Sequence, residues 1–195
     1  MPATIVLCWE TGVVDVLFVQ GASEGAYAFD AKLAASLASR LGANYKVHYP
    51  RMPGEEEPDY AVWEAAFSKE LAGLGTTALV LVGHSLGASF VLRYVALNDL
   101  EPRPLGVFLA AAPFIGQRGW RGAGFSLPTH SERLGQMRLF FFQGGADEVV
   151  PAEHVVLFKQ TLPLATVKVL PGRDHQLNND LSEIAAEIRR LKSEA

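Results

Sequence analysis

Short apolar runs alternate with longer segments of helical period along most of the chain. The apolar runs predict buried strands at residues 4–9, 13–19, 45–48, 78–82, 106–110, 139–143 and 166–170. The intervening segments predict helices at residues 26–41, 60–71, 88–97, 153–162 and 181–191. Strands that alternate with helices form parallel sheets covered on both faces. The sequence therefore predicts a three-layer α/β/α fold with an open, mostly parallel sheet of about seven strands.

Length and composition limit the classes of protein to which the chain could belong. With 195 residues, of which 49% are hydrophobic, the chain is predicted to form one domain over residues 1–195. The formal net charge of -4 disfavours nucleic acid and anionic membranes as partners. Cys8 is the only cysteine, which excludes an intrachain disulfide and a cysteine-built metal site. The acidic stretch 54–59 is expected to be a solvated loop. Neither a signal peptide nor a membrane span is visible, so we expect a cytoplasmic protein.

One serine lies in a distinctive turn. Gly83-His84-Ser85-Leu86-Gly87 joins the predicted strand 78–82 to the predicted helix 88–97. Gly-x-Ser-x-Gly is typical of a sharp turn with close backbone contacts on either side, which places the serine hydroxyl above a sheet and at a helix N-terminus. The pattern predicts Ser85 as a nucleophile. The competing interpretation is that Ser85 only caps the helix.

A serine in such a turn needs a base and a carboxylate that orients the base. Both should follow the serine in the chain, each in a loop at the end of a strand. Asp147 lies in a glycine-rich turn after the strand 139–143, and His175 lies in the loop after the strand 166–170. These positions predict Asp147 as the acid and His175 as the base.

Other residues compete for both roles. For the acid, Glu148 and Asp174 are the alternatives, although Asp174 is adjacent to His175 and its side chain should diverge. For the base, the alternatives are His84, which the turn directs away from the serine, His154, expected on a helix surface, and His130 in an irregular segment.

Three motifs together resemble the α/β-hydrolase superfamily. They are the turn around Ser85, the loop Gly144-x-x-Asp147-x-x-Val150-Pro151 and the loop Gly172-Arg173-Asp174-His175, and the resemblance spans about residues 13–191. It implies an eight-stranded sheet, one strand more than the runs predict. It also implies Ser85 as nucleophile, His175 as general base and then acid, and Asp147 as the orienting carboxylate.

An acyl-transfer site also needs two backbone N–H groups that bind the developing oxyanion. The first is predicted to be the N–H of Leu86, the residue after the nucleophile. The second is expected from the loop 20–25, with Ala22 preferred over Ser23. The family often has His-Gly at the start of this loop, whereas this chain has Gln20-Gly21. In the plainer interpretation, Ser23 caps the helix that follows.

The segment 111–138 is short and rich in glycine and proline, which predicts a cleft without a cap domain. Candidate substrate contacts are Ser23, His84, Phe114 and Trp120. Phe125 and the aromatic residues of this segment could equally anchor the loop. The segment's arginines, Arg118, Arg121, Arg133 and Arg138, are expected to balance surface charge rather than bind a substrate anion.

The combined expectation is a small, capless, esterase-like serine hydrolase that cleaves a small-molecule carboxylic ester, or a thioester or amide, through an acyl-enzyme. The predicted mechanism requires no metal and no organic cofactor. Two other classes stay open. One is a non-hydrolytic enzyme of the same fold, such as an acyltransferase, a lyase or a haloperoxidase, and the other is a ligand-binding protein without catalysis.

Overall fold

The computed structural model describes residues 12–75, 78–116, 118–122, 124–128 and 131–194. These residues form one sheet of six parallel strands in the order β2-β1-β3-β4-β5-β6. The strands are β1 Val14–Val19, β2 Tyr45–His48, β3 Leu79–His84, β4 Gly106–Ala110, β5 Leu139–Gly144 and β6 Thr166–Leu170. The seventh predicted strand, at residues 4–9, lies outside the described residues. The three-layer α/β/α prediction is confirmed.

Helices connect the strands where the sequence predicts them. They are α1 Ala26–Leu41, α2 Tyr60–Leu74, α3 Leu86–Leu97, α4 Glu132–Gly135, α5 Glu153–Thr161 and α6 Ser182–Glu194. Helix α3 begins two residues earlier than predicted, directly after Ser85. Helix α4 was not predicted because four residues are too few to display a helical period.

Two hydrophobic cores lie on opposite faces of the sheet. In β3, Leu79 and Leu81 belong to one core and Val80 and Val82 to the other, because successive strand side chains point to opposite faces. Helices α2, α3 and α5 cover the first core, and α1 and α6 cover the second. Burial on both faces explains why the strands are continuous apolar runs rather than alternating ones.

The loops that follow β3, β5 and β6 meet at one edge of the sheet. All strands are parallel, so their carboxyl ends share this edge. Ser85 follows β3, Asp147 follows β5 and His175 follows β6. The topology thus brings three loops, separated widely in the chain, into one region.

The segment between β4 and β5 has little regular secondary structure. Its described residues contain one helix, α4, of four residues, and no cap domain. A closed loop forms where the Trp120 N–H donates to the Phe114 carbonyl at 2.9 Å and the Gly116 N–H donates to the Trp120 carbonyl at 3.0 Å. The capless prediction agrees with this arrangement. Among the described residues, no helix is both long and apolar enough to cross a membrane.

Candidate active site

Ser85 lies in a strained turn between β3 and α3. Its φ of 52° is positive, which non-glycine residues rarely adopt. The turn is possible because its two glycines lack side chains. A Cβ on Gly83 would lie 2.6 Å from the Ala88 Cα, and a Cβ on Gly87 would lie 2.0 Å from the Gln20 carbonyl oxygen. The glycines therefore let the helix start against β1 and present the Ser85 side chain at the sheet edge.

Ser85, His175 and Asp147 form a continuous chain of hydrogen bonds. The His175 Nε2 lies 3.1 Å from the Ser85 Oγ, and the His175 Nδ1 lies 2.9 Å from the Asp147 Oδ2. An ionised carboxylate only accepts hydrogen bonds, so the His175 proton resides on Nδ1. The Nε2 lone pair then faces the Ser85 hydroxyl, which is the arrangement that a general base requires.

The Asp147 carboxylate is fully enclosed, with a side chain that is 0% exposed. Its oxygens accept hydrogen bonds from the N–H groups of Val149 and Val150 at 2.9 and 2.8 Å, and from the Gln143 Nε2 at 2.8 Å. Burial would raise the pKa of Asp147. The hydrogen bonds from His175 and Val150 outweigh burial and hold the pKa below its ordinary value. Asp147 is thus kept ionised beside His175.

The competing residues are placed elsewhere. Asp174 is exposed, and its Oδ1 accepts from the Asn178 N–H at 2.7 Å, while Glu148 is exposed. His154 was expected on the surface, and this expectation is wrong. Its ring is buried, its Nδ1 accepts from the Phe114 N–H at 2.8 Å, and burial lowers the pKa of His154. His130 lies outside the described residues.

Two of the three candidate oxyanion donors are available. The N–H groups of Ala22 and Leu86 make no hydrogen bond with any residue that the structure describes. The Ser23 N–H, in contrast, donates to the Glu55 carbonyl at 2.8 Å. Gly21 lets the loop 20–25 lie against the turn around Ser85, since a Cβ on Gly21 would lie only 3.1 Å from the Ser85 Cβ. Ala22 and Leu86 are therefore the pair free to bind an anion beside Ser85.

A second histidine–carboxylate pair lies under the site. His84 and Asp30 are each 1% exposed, and the His84 Nδ1 lies 2.9 Å from the Asp30 Oδ2. The same oxygen accepts from the Gly21 N–H at 2.7 Å, and the His84 Nε2 lies 3.0 Å from the His175 carbonyl oxygen. His84 was a candidate substrate contact, but its ring nitrogens are both engaged within the protein.

Each member of this pair stabilises the charged form of the other. Burial alone would lower the pKa of His84 and raise the pKa of Asp30. The attraction between the two groups and their hydrogen bond outweigh burial, so the pKa of His84 lies above and the pKa of Asp30 below the ordinary value. Sequence reasoning missed Asp30. The sequence signal that could have found Asp30 is its helical spacing. It lies on the same buried face of α1 as the apolar residues Ala26, Leu33, Ala34, Leu37 and Leu41.

The acidic stretch 54–59 is not wholly solvated, which corrects the expectation. Glu55 is buried, and its Oε2 accepts hydrogen bonds from the Gln20 Nε2 and the Tyr27 N–H, both at 2.7 Å. Gln20 in turn accepts from the Met52 N–H at 3.1 Å. Gln20, which stands where the family often has histidine, thus connects the loop 20–25 to the acidic stretch. No three His, Cys, Asp or Glu side chains within the described ranges are grouped so that they could hold a metal ion.

Ser85 opens into a cleft of about 620 Å³. Its walls are mainly apolar, and Phe29, Trp120 and Val149 are the large exposed hydrophobic residues at its mouth. The candidate substrate contacts Ser23 and His84 line the cleft, as do Gly21, Ala22, Ala26, Asp30, Pro58, Leu86, Pro113, Ile115, Arg121, Gly122, Phe125, His175 and Gln176. Phe114 does not line this cleft and packs instead against Phe158, with ring centroids 5.0 Å apart.

Comparison with known proteins agrees with the fold. No curated protein matches the sequence. A methylesterase from Arabidopsis is 15% identical with a TM-score of 0.70, covering 94% of this chain and 100% of that one. A monoacylglycerol lipase from Paleococcus ferrophilus is 16% identical, with a TM-score of 0.62 and coverages of 94% and 97%. A serine hydrolase without a lid from Xanthomonas campestris is 18% identical, with a TM-score of 0.62 and coverages of 93% and 81%.

At these identities the solved structures establish the fold. The sequence itself matches the family model described as the alpha/beta hydrolase family over residues 16–187, which include Ser85, Asp147 and His175. The strand order, the turn around Ser85 and the loops that follow β5 and β6 lie within this match. The chain belongs to the alpha/beta hydrolase family.

Proposed function

We propose that this protein is a serine hydrolase that cleaves small carboxylic esters through an acyl-enzyme. The observation that carries the proposal is the hydrogen-bonded chain from the Ser85 Oγ through the His175 ring to the buried Asp147 carboxylate. A serine hydroxyl is a weak nucleophile unless a positioned base removes its proton. Here the base and the group that orients it are both in hydrogen-bonding range.

The reaction would proceed in two halves. In the first, His175 accepts the Ser85 proton while Ser85 Oγ attacks the acyl carbon, and the N–H groups of Leu86 and Ala22 bind the oxyanion. His175 then gives the proton to the departing alcohol, which leaves an acyl group on Ser85. In the second half, His175 accepts a proton from water while the water oxygen attacks the acyl carbon, and then gives that proton to the Ser85 Oγ as the acyl–Oγ bond breaks and the acid is released.

The cleft favours a substrate with an uncharged, apolar portion. Apolar side chains form most of its wall, and Phe29 is 60% exposed at the mouth. The charged pair His84 and Asp30 is neutralised within the floor, and Arg121 is the charged side chain elsewhere in the lining. Two of the structural relatives, a methylesterase and a lipase, are by name ester hydrolases, which supports an ester over an amide.

The test combines a covalent probe with turnover. Wild type, Ser85→Ala and the surface control Ser193→Ala are treated with a fluorophosphonate and assayed on p-nitrophenyl esters of increasing chain length. Wild type and Ser193→Ala should label and hydrolyse, whereas Ser85→Ala should do neither, because the nucleophile is gone. Labelling without hydrolysis would favour an acyltransferase, lyase or haloperoxidase. Absence of both in wild type would favour a binding protein.

A further inference from the structure

Both ring nitrogens of His84 face hydrogen-bond acceptors. The Nε2 faces the His175 carbonyl oxygen, and a carbonyl oxygen never donates a hydrogen bond. The Nδ1 faces the Asp30 Oδ2, which already accepts from the Gly21 N–H. An acceptor at each nitrogen is satisfied only when each nitrogen carries a proton. With Asp30 ionised, which the lowered pKa of Asp30 and the raised pKa of His84 both favour, His84 is an imidazolium paired with the Asp30 carboxylate.

This pair joins the three segments that the proposed reaction uses. His84 directly precedes Ser85 in the turn, its Nε2 holds the backbone of His175, and Asp30 holds the N–H of Gly21, next to Ala22. The Gln176 side chain also lowers the pKa of Asp30, so the residue after His175 acts on the same cluster. Removal of either charge would leave a buried partner unpaired.

We propose that His84 and Asp30 are positioning residues, which set the placement of His175 and of the oxyanion loop relative to Ser85. This inference rests on the proposed function. Neither residue contacts the reacting atoms. Their effect is geometric, since a displacement of the base or of an oxyanion donor by a fraction of an ångström weakens transition-state binding more than substrate binding.

The pair also balances charge during the reaction. The rings of His84 and His175 have centroids 4.9 Å apart, so a lone imidazolium at His84 would oppose protonation of His175. Asp30 from α1 neutralises His84, and Asp147 from the loop after β5 neutralises His175. These carboxylates, with the His175 ring and backbone, are the charged and titratable groups recorded around His84 among the described residues. The ion pair that His175 and Asp147 form once His175 has taken the Ser85 proton thus lies beside the pair of His84 and Asp30.

Nuclear magnetic resonance of the ¹⁵N-labelled wild-type protein tests the ionisation directly. At a pH of about 8 an ordinary histidine, with a pKa of about 6.5, is neutral and has one unprotonated ring nitrogen. His84 should instead show two protonated ring nitrogens, assigned by their loss in His84→Gln. A single protonated nitrogen on His84 at that pH would overturn the assignment of His84 and Asp30 as an ion pair.

Steady-state kinetics tests the positioning role. His84→Asn keeps a donor near Nδ1 and loses the bond to the His175 carbonyl, whereas His84→Gln keeps a donor near Nε2. Both variants and Asp30→Asn should lower kcat, by about tenfold to a hundredfold for His84→Asn and Asp30→Asn, with KM unchanged. His84→Gln should retain more activity than His84→Asn, because it retains the donor to the histidine loop.

A second histidine–aspartate pair supplies the matched control. His48 on β2 bonds Asp15 on β1, and neither residue lines the cleft. His48→Asn and Asp15→Asn should leave kcat unchanged. Wild-type kcat in Asp30→Asn, with or without a lower Tm, would overturn the positioning role while Ser85 labelling still stood. Failure of wild type to label or hydrolyse would instead reject the proposed function, and the resonance measurement would still decide the ionisation of His84.

Discussion

At the scale of single residues, the surroundings of each carboxyl group separate Asp147 from its rivals. Asp147 is enclosed and accepts hydrogen bonds from His175, two backbone N–H groups and Gln143. Asp174 is exposed and bonds the Asn178 N–H. A buried carboxylate fixed by several donors can hold one tautomer and one orientation of a histidine ring, whereas an exposed carboxylate in a loop exchanges its partner for water.

Asp147→Asn should therefore lower kcat by about a thousandfold or more, because an amide can donate to His175 Nδ1 and so stabilise the wrong tautomer. The measurement is kcat and KM on the best ester of the wild-type panel. Asp174→Asn is the control and should retain wild-type kcat. An equal loss in both variants would contradict the assignment of Asp147.

At the scale of elements, the approach of α3 to β1 depends on one missing side chain. The Gln20 and Val19 carbonyl oxygens would lie 2.0 and 2.7 Å from a Cβ on Gly87. Such distances are far inside van der Waals contact, and both neighbours are backbone atoms that cannot rotate away. The helix would have to withdraw from the strand, and Ser85 would move with it.

Gly87→Ala should accordingly destabilise the fold by about 3 kcal/mol and abolish fluorophosphonate labelling of the folded fraction. Gly73→Ala in α2 is the matched control. No atom lies within 4 Å of its added Cβ, so alanine should raise the free energy of unfolding by about 0.5 kcal/mol through its helix propensity. Urea denaturation measures the free energy of unfolding of both variants. A Gly87→Ala protein as stable as wild type would refute the close approach.

At the scale of the whole molecule, acidic side chains couple stability to pH. Hydrogen bonds and ion pairs outweigh burial and hold the pKa values of six carboxyl groups below their ordinary range: Asp30, Glu55, Asp99, Asp147, Asp180 and Glu187. A pKa that is lower in the folded than in the unfolded chain means that the unfolded chain binds protons first. The stabilisation is complete above the unfolded pKa and is lost as pH falls through the folded pKa.

The free energy of unfolding should therefore decrease steadily as pH falls below about 4, the ordinary range of carboxyl groups. Urea denaturation from neutral pH to about pH 3 measures the slope. Asp147→Asn removes one of the groups and should show a shallower acid slope than wild type. Equal slopes would indicate that the pKa of Asp147 is the same in the folded and unfolded chains.

Local patterns account for the strands, the helices and the choice of Ser85, Asp147 and His175 as candidates. Strand and helix periods, and the turn chemistry around glycine, are properties of neighbouring residues, so they can be predicted from the chain. The buried pairing of His84 with Asp30, the burial of His154 and the apolar cleft arise only when the chain has folded. Their partners are far apart in sequence, 54 positions for His84 and Asp30 and 40 for Phe114 and His154. Contacts at such separations depend on how helices and loops pack around the sheet, which no local period encodes.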